Sequence, residues 1–464
     1  MKGKIYLMER TLILDASSKV GESVKISGWV QTRRDHGKIV FLDVRDRTAF
    51  VQVVLTGEKV GDLSTEDVVE IEGLVKERPE NLVNDKIATG KIEIEATDLK
   101  VISKAKTLPF PIDDEGYDID EEHRLKYRYL DLRRARMAGN VRFRHKVISF
   151  IRNWLSNEDF VEVETPILTK ATPEGARDFL VPSRLHKGKF YALPQAPQQY
   201  KQLLMVAGIE RYFQIAKCFR DEDTRKDRQL EFTQLDLEMS FVEREDVMAV
   251  NEKLLIDLVK ELSPDKKIQE VPFPRLTYKE AMDKYETDRP DLRENKEDDD
   301  VLAFCWVVDF PFFEKDKEDN WTFTHNPFSA PKPEHLEWLM NKENIGQIIT
   351  SQYDIVLNGY EIGGGSIRNH QPEALVKVLE ILGLSQEKIR ADFNHILEAF
   401  EFGAPPHGGI AWGLDRLIAV LHDEPSIREV IAFPTSSSGQ TSVMDAPSEV
   451  DSKQLSELGI AAKK

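Results

Sequence analysis

The sequence predicts an α+β protein in two parts: a small N-terminal β-barrel, then a larger core in which helices flank an antiparallel sheet. Three observations point this way. The first 105 residues hold five short strand-like runs and no helical pattern of length. Apolar runs at 212–219 and 232–241 bracket a charged segment, as the arms of an antiparallel hairpin would. Residues 414, 417, 418 and 421 are apolar at helical spacing, directly after a glycine-rich stretch.

Composition sets the bounds. The chain has 464 residues, room for two or three domains and a sizeable core, with 41% hydrophobic and 31% charged residues as in ordinary globular proteins. It contains no run of about 18 apolar residues, so no membrane span is expected. The start, Met1 to Tyr6, lacks the apolar stretch of a signal peptide, and a cytoplasmic location is expected. Cys218 and Cys305 offer neither a disulfide framework nor metal-ligand spacing, and Cys218 reads as a packed thiol inside a strand. The net charge of −18 argues against a broadly basic nucleic-acid surface. Residues 1–105 carry 17 Lys and Arg against 18 Asp and Glu, so the acidity lies almost wholly in the remainder. Any RNA contact would then be local and strongly salt-dependent.

In chain order, Val24–Val30 alternates, and Ile39–Val44, Ala49–Leu55, Val68–Val75 and Lys91–Ala96 follow as short strands, a pattern that suggests an OB-fold over residues 1–105. A basic loop, Gln31–Lys38, separates the first two. Phe41 and Gln52 could stack on and hydrogen-bond to single-stranded bases, although in an isolated barrel Phe41 reads equally well as core. Residues 106–135 form a linker, proline-containing, then acidic, then basic. The hairpin after it carries Arg220, Asp221, Glu222, Asp223, Arg225, Asp227, Arg228 and Gln229 at its tip. Such a cluster is costly unless paired or bound to a ligand, and a phosphate substrate with magnesium would satisfy it. In Gly408–Leu421 the glycines allow close backbone approach to a ligand, and Arg416 stands off the apolar stripe, free to meet an anion.

These two segments together resemble motifs 2 and 3 of the class II aminoacyl-tRNA synthetases. Motif 1 is then the helix from about Val141 to Asn157, leading to Phe160–Leu168 with Pro166; in that family this element builds a homodimer interface. Thr172–Ser183, Gln195–Leu204 and Leu357–Arg368 are similar to the flipping loop and active-site segments of bacterial-type aspartyl-tRNA synthetases, and the resemblance runs from about Arg10 to Leu458. It implies an OB-fold anticodon-binding domain (1–105), a hinge (106–135) and a class II catalytic domain (136–464).

The resemblance implies an activity: L-aspartate is joined to ATP as an adenylate, then passed to the 3′ end of tRNA-Asp. The attacking carboxylate is ionised at pH 7 and needs no base, so positioning and charge neutralisation carry the reaction. Arg220, Glu361 and Arg416 match the catalytic positions. Arg220 would bridge the amino-acid carboxylate and α-phosphate bidentately, which lysine could not. The aspartate site would comprise Glu174, Gln198, Lys201, Arg220, Asp236, His325 and Arg368. The ATP site would comprise Arg220, Asp221, Glu222, Gln229, Glu361, Gly413, Leu414, Asp415 and Arg416. Glu361 and Asp354 would hold Mg2+, which prefers few carboxylates and its own waters. Lys201 and Arg368 would favour a side-chain carboxylate and leave uncompensated positive charge if asparagine entered, a discrimination that can reach roughly 10⁴. Arg33, His36, Phe41 and Gln52 match positions at the anticodon.

The chain departs from the family in three places. After Arg293, where bacterial-type members carry an inserted domain, it has only a short acidic loop over about 293–302. Asn326 stands where many relatives have a second histidine, and Thr435–Gln440 lacks a lysine often found there. Asparaginyl- or lysyl-tRNA synthetases share barrel and motifs, but the pair Lys201 and Arg368 argues against both. A paralogue making free asparagine, or a non-catalytic RNA-binding protein, would not account for the retained barrel and the intact Arg220, Glu361 and Arg416 together. Members of the family divide into those reading only tRNA-Asp and those also charging tRNA-Asn. His36 occupies a position where histidine accompanies the relaxed kind, which implies that tRNA-Asn is charged too.

Overall fold

The computed structural model describes residues 8–56, 60–171 and 175–461. The chain divides into two compact units at Pro111/Ile112.

The first unit is a closed five-stranded barrel: β1 (Ser23–His36), β2 (Ile39–Arg45), β3 (Phe50–Thr56), β4 (Val68–Glu77) and β5 (Ile92–Ser103), paired in the order β1-β2-β3-β5-β4. Every second residue of β2, β3, β1 up to Val30 and β4 up to Val75 is buried, the strand period of two that closes a core of Val24, Ile26, Val30, Leu42, Val53 and Ile71. The stretch expected as a basic loop is strand: β1 pairs with β2 through His36↔Ile39, and only Gly37 and Lys38 turn, with Gly37 at φ +62°. Its side chains are polar because they line the outside of the barrel, and that polarity made the sequence read as loop.

The second unit is built on an eight-stranded sheet in the order Arg275–Thr277, Phe304–Val308, Gln352–Leu357, Tyr360–Ile367, His407–Gly413, Glu231–Ser240, Arg211–Phe219, Val161–Glu162. The six central strands are antiparallel, and the short strand at each edge pairs parallel. The motif 2 hairpin spans Arg211–Phe219 and Glu231–Ser240, close to the expected bounds. Helices Ala135–Asn157 and Arg244–Leu262 cover the sheet, and Val147, Ile151, Leu155, Leu254 and Leu258 join Trp306, Tyr353 and Trp412 in one core. The first of these helices starts six residues before the expected Val141.

The segment 112–134, expected as hinge, belongs to this second unit. Its charges are buried in pairs: Asp131 takes Arg128 and Arg134 at 2.8 Å each, and Arg124 reaches Glu429 at 2.7 Å. Alternating signs of charge look like a solvated linker in sequence and prove to be an internal ion network. The acidic stretch 293–302 is mostly turn, but its end, Val301–Leu302, is a two-residue strand on Lys267–Ile268. No helix among the described residues is long and apolar enough to cross a membrane.

Candidate active site

A cleft of about 410 Å³ opens over the central strands of the second unit. It is shaped by glycines at 363–365 and 413, which leave the sheet surface bare, and by the hairpin tip at one end. Gln198, Lys201, Arg220, Glu222, Gln229, His325, Glu361, Arg368, Gly413, Asp415 and Arg416 line it, so residues from six separate elements predicted to act together do converge.

The floor at one end is a buried charge network. The Lys201 ammonium meets Asp236 at 2.5 Å and Glu238 at 3.2 Å, and the Arg368 guanidinium takes both oxygens of Glu238 at 2.8 and 3.0 Å. Burial alone would raise the Glu238 carboxyl; the Arg368 and Lys201 charges override it and hold its pKa at about 2. Asp236 is shifted upward by burial, against the pull of Lys201. Its Oδ2 is buried without a hydrogen-bond partner, as is Nε2 of Gln198. Glu238 was not anticipated from sequence, and it corrects the picture of two uncompensated cations: both are already balanced.

At the other end, Arg220 lays its guanidinium 5.1 Å over the Phe232 ring, keeps a buried Nε without a partner, and forms no ion pair among the described residues. Arg416 donates to the Glu361 carbonyl and lies 3.5 Å from the Asp227 carboxylate. Glu222 faces Arg228 at 3.5 Å. Gln229 is buried, its carbonyl accepting from the Thr435 backbone and hydroxyl at 2.9 and 2.7 Å, so it anchors the 435–440 loop to the hairpin. Asp415 accepts from the Thr233 amide at 2.9 Å and from Arg144, which leaves its carboxylate as a strut. The Leu414 side chain lies in the core, so only its backbone can meet a ligand. Asp221 sits outside the lining beside Arg177, and Glu174 falls outside the described residues.

Asp354 is buried under the lining, 3.8 Å from the His325 imidazole. Burial pushes its carboxyl up to about 7; the His325 charge opposes the rise and Glu361 adds to it. Glu361 is only partly buried and lines the cleft, and a cation would relieve its repulsion with Asp354. Among the described residues no cluster of three or more acidic, His or Cys side chains that could hold a metal ion exists.

On the barrel, Arg34, His36 and Phe41 share one face with Gln52. The His36 and Phe41 rings meet edge to face at 5.7 Å, Arg34 takes Asp43 at 2.6 and 3.0 Å, and Gln52 donates to Glu93 at 3.0 Å. Arg33 faces the other way, donating to the Leu63 and Gly61 carbonyls at 2.7 and 3.2 Å. Strand alternation therefore puts Arg34, not Arg33, beside the other three.

Residues 120–437 match the family described as class II tRNA synthetases (D, K and N), and 24–102 match the OB-fold nucleic acid binding domain. An aspartate–tRNA(Asp/Asn) ligase of Thermoanaerobacter pseudethanolicus is 42% identical, with 95% of this chain and 96% of the relative covered. The chain belongs to the aspartate–tRNA ligase family of class II tRNA synthetases. An aspartate–tRNA ligase of Staphylococcus saprophyticus is 38% identical, covering 96% of this chain and 98% of its own. Both alignments run over more than 570 positions, beyond this chain's 464 residues, so these ligases carry residues that it lacks. Among solved structures, the asparaginyl-tRNA synthetase of Pyrococcus horikoshii bound to asparaginyl-adenylate superposes with a TM-score of 0.73 at 25% identity, covering 92% of this chain and 98% of that one. A putative aspartyl-tRNA synthetase of Leishmania major shares the fold, with a TM-score of 0.74 at 21% identity over 94% of this chain and 95% of that one.

Proposed function

We propose that the protein activates L-aspartate with ATP and transfers it to the 3′ end of tRNA-Asp. The observation that carries the amino-acid choice is the set of donors left at the cleft floor. Arg368 has five N–H groups. Glu238 takes two, Ser366 one at 2.8 Å, and the Gly409 carbonyl one at 3.2 Å. Lys201 has three, of which Asp236 and Glu238 face two. What remains of these two cations for a ligand is one donor from each. A side-chain carboxylate accepts both. The asparagine amide would turn its own N–H₂ against one of them, a mismatch of the kind that can separate substrates by roughly 10⁴. Asp236, with its unpartnered oxygen, and Gln198 suit the α-ammonium.

In the first step an oxygen of the α-carboxylate bonds to the α-phosphorus as the bond to pyrophosphate breaks. Arg220, already flat against Phe232 and without an ionic partner, bridges the two reacting groups and spreads the charge that builds between them. Arg416 exchanges Asp227 for the γ-phosphate. Asp354 and Glu361 would hold Mg2+, which supplies charge neutralisation on the phosphates. The barrel face of Arg34, His36, Phe41 and Gln52 receives the anticodon, and His36 extends charging to tRNA-Asn. The protein acts in the cytoplasm as a homodimer, for which exposed Val161, Ile167 and Leu168 after the long helix offer an apolar surface.

The test is aspartate-dependent exchange between ATP and pyrophosphate, followed by charging of tRNA-Asp and tRNA-Asn transcripts side by side. Exchange with aspartate and not asparagine, and charging of tRNA-Asp, is the expected result. Absence of aspartate-dependent exchange overturns the reading, and charging of tRNA-Asp alone removes the role given to His36.

A further inference from the structure

Asp354 is 2% exposed beneath the cleft lining, and one of its oxygens is already spoken for. Strand Gln352–Leu357 pairs with Tyr360–Ile367 so that Asp354 lies opposite Gly364 and Gln352 opposite Ser366. Two residues apart on one strand, Gln352 and Asp354 share a face. The Gln352 amide donates to Asp354 Oδ1 at 2.7 Å, and both side chains are buried. The register leaves room for this pair: a Cβ on residue 364 would stand 2.8 Å from Asp354 Oδ1 and 3.6 Å from Gln352 Nε2.

The amide's orientation is fixed chemically. A carboxylate ionised by a bound cation only accepts, so in that state the –NH₂ end must face Asp354 and the carbonyl end must face away. That carbonyl lies 3.4 Å from the Ser329 hydroxyl, which is also 3.4 Å from Asn326 Oδ1. One hydroxyl proton cannot serve both. Asn326 Oδ1 already accepts the Phe328 amide at 2.9 Å, whereas no other donor reaches the Gln352 carbonyl among the described residues. The proton therefore belongs with Gln352, and the chain Ser329–Gln352–Asp354 is satisfied end to end. With Oδ1 held by Gln352, Oδ2, which lies 3.8 Å from His325 Nε2 and accepts no hydrogen bond among the described residues, is the oxygen turned toward a ligand.

We propose that Gln352 is a positioning residue for the cation site, locking the Asp354 carboxylate so that Oδ2 is presented, with Ser329 holding Gln352 in turn. The inference rests on the assignment of Asp354 and Glu361 to a divalent cation. Outer partners of ligating carboxylates are typically worth about 10–100-fold in metal affinity.

The experiment measures Mn2+ binding to the ATP-saturated full chain by electron paramagnetic resonance, for wild type and for Gln352→Met, which keeps length and volume and removes the donor. The expected result is a Mn2+ affinity weakened about 10-fold or more, with metal-free aspartate affinity unchanged. Ser329→Ala, a milder change, should shift Mn2+ affinity in the same direction by less and guards against a misfolded first variant. Unchanged Mn2+ affinity in Gln352→Met overturns the proposal, and so does a parallel loss of aspartate affinity, which would mark general damage to the cleft. If wild type itself fails to bind Mn2+ with ATP, the proposal falls with the metal assignment. Aspartate-dependent exchange by wild type is scored separately, so the ligase reading survives or fails on its own.

Discussion

Replacing Asp354 by asparagine should make the protein more stable and less active. The carboxyl has its pKa raised from 3.8 to about 7 by burial, with Glu361 adding to the shift and the His325 charge opposing it. Below pH 3.8 both folded and unfolded states hold the proton and nothing differs. As pH rises, the unfolded chain releases the proton while the folded one keeps it, so folding loses roughly 1.4 kcal/mol per pH unit until the folded group also titrates near 7. The cost levels off there at about 4 kcal/mol. Asparagine removes it while its Oδ1 can still accept from Gln352. In metal-free buffer the variant should therefore exceed wild type by up to about 4 kcal/mol at pH 8, by less than half of that at pH 5, and by nothing near pH 4. Urea unfolding followed by tryptophan fluorescence at those three pH values measures it. Exchange activity should fall by roughly 10²-fold despite the added stability, a cost often attached to functional strain. A gain of equal size at pH 5 and pH 8, or no gain at all, would refute the reasoning, because only the titration of this carboxyl makes the difference pH-dependent.

Glu238→Gln should cost about 3–5 kcal/mol at pH 7, since it leaves Arg368 and Lys201 buried with one anion fewer. Because Arg368 and Lys201 overcome burial to hold the Glu238 pKa at about 2, below its ordinary 4.5, the wild-type advantage should be full above 4.5 and vanish as pH falls toward 2, which acid unfolding of the two proteins checks. His36→Leu should reduce charging of tRNA-Asn by about tenfold, the worth of one hydrogen bond, and leave tRNA-Asp charging within a few-fold. Parallel transcript charging reads it.

Some of this was legible in the chain because the residue types were diagnostic where they stood. A run holding Arg220, Glu222, Arg228 and Gln229 between two apolar arms has few structural explanations, and the hairpin lies within a residue or so of where the pattern puts it. Glu238 was hidden for the opposite reason. It shares a strand face with Asp236, two residues before it, but its main partner Arg368 lies 130 positions along the chain, where sequence offers nothing to join the two. Gln352 was equally silent, since an amide in a buried strand acquires meaning only through the carboxylate beside it and the glycine opposite. The 112–134 segment misled because ion pairs that are local in space look like solvent-facing charge in sequence. Arg33 and Arg34 are neighbours, and the choice between them turns on strand alternation, which a presumed loop does not have.

The two ends of the cleft hold their cations in different ways, and the difference follows from burial. Arg368 is 2% exposed and bound through Nε and Nη2 to a fully buried Glu238; parting them would strand two charges in a medium that cannot solvate them. It cannot swing to a substrate and must act through the one N–H that Glu238, Ser366 and Gly409 leave over. Arg416 and Asp227 are 20% and 25% exposed, 3.5 Å apart, and water softens the separation. That arginine can trade its carboxylate for a phosphate and return. Between amino acids that differ by an amide for a carboxylate, selectivity needs donors that do not move. Terminal phosphates that must arrive on ATP and leave as pyrophosphate need a clamp that does. In a chain of net charge −18, prior pairing also keeps cations from collapsing onto arbitrary neighbours, and Arg220, which makes no ion pair among the described residues, is held by the Phe232 ring instead of a carboxylate.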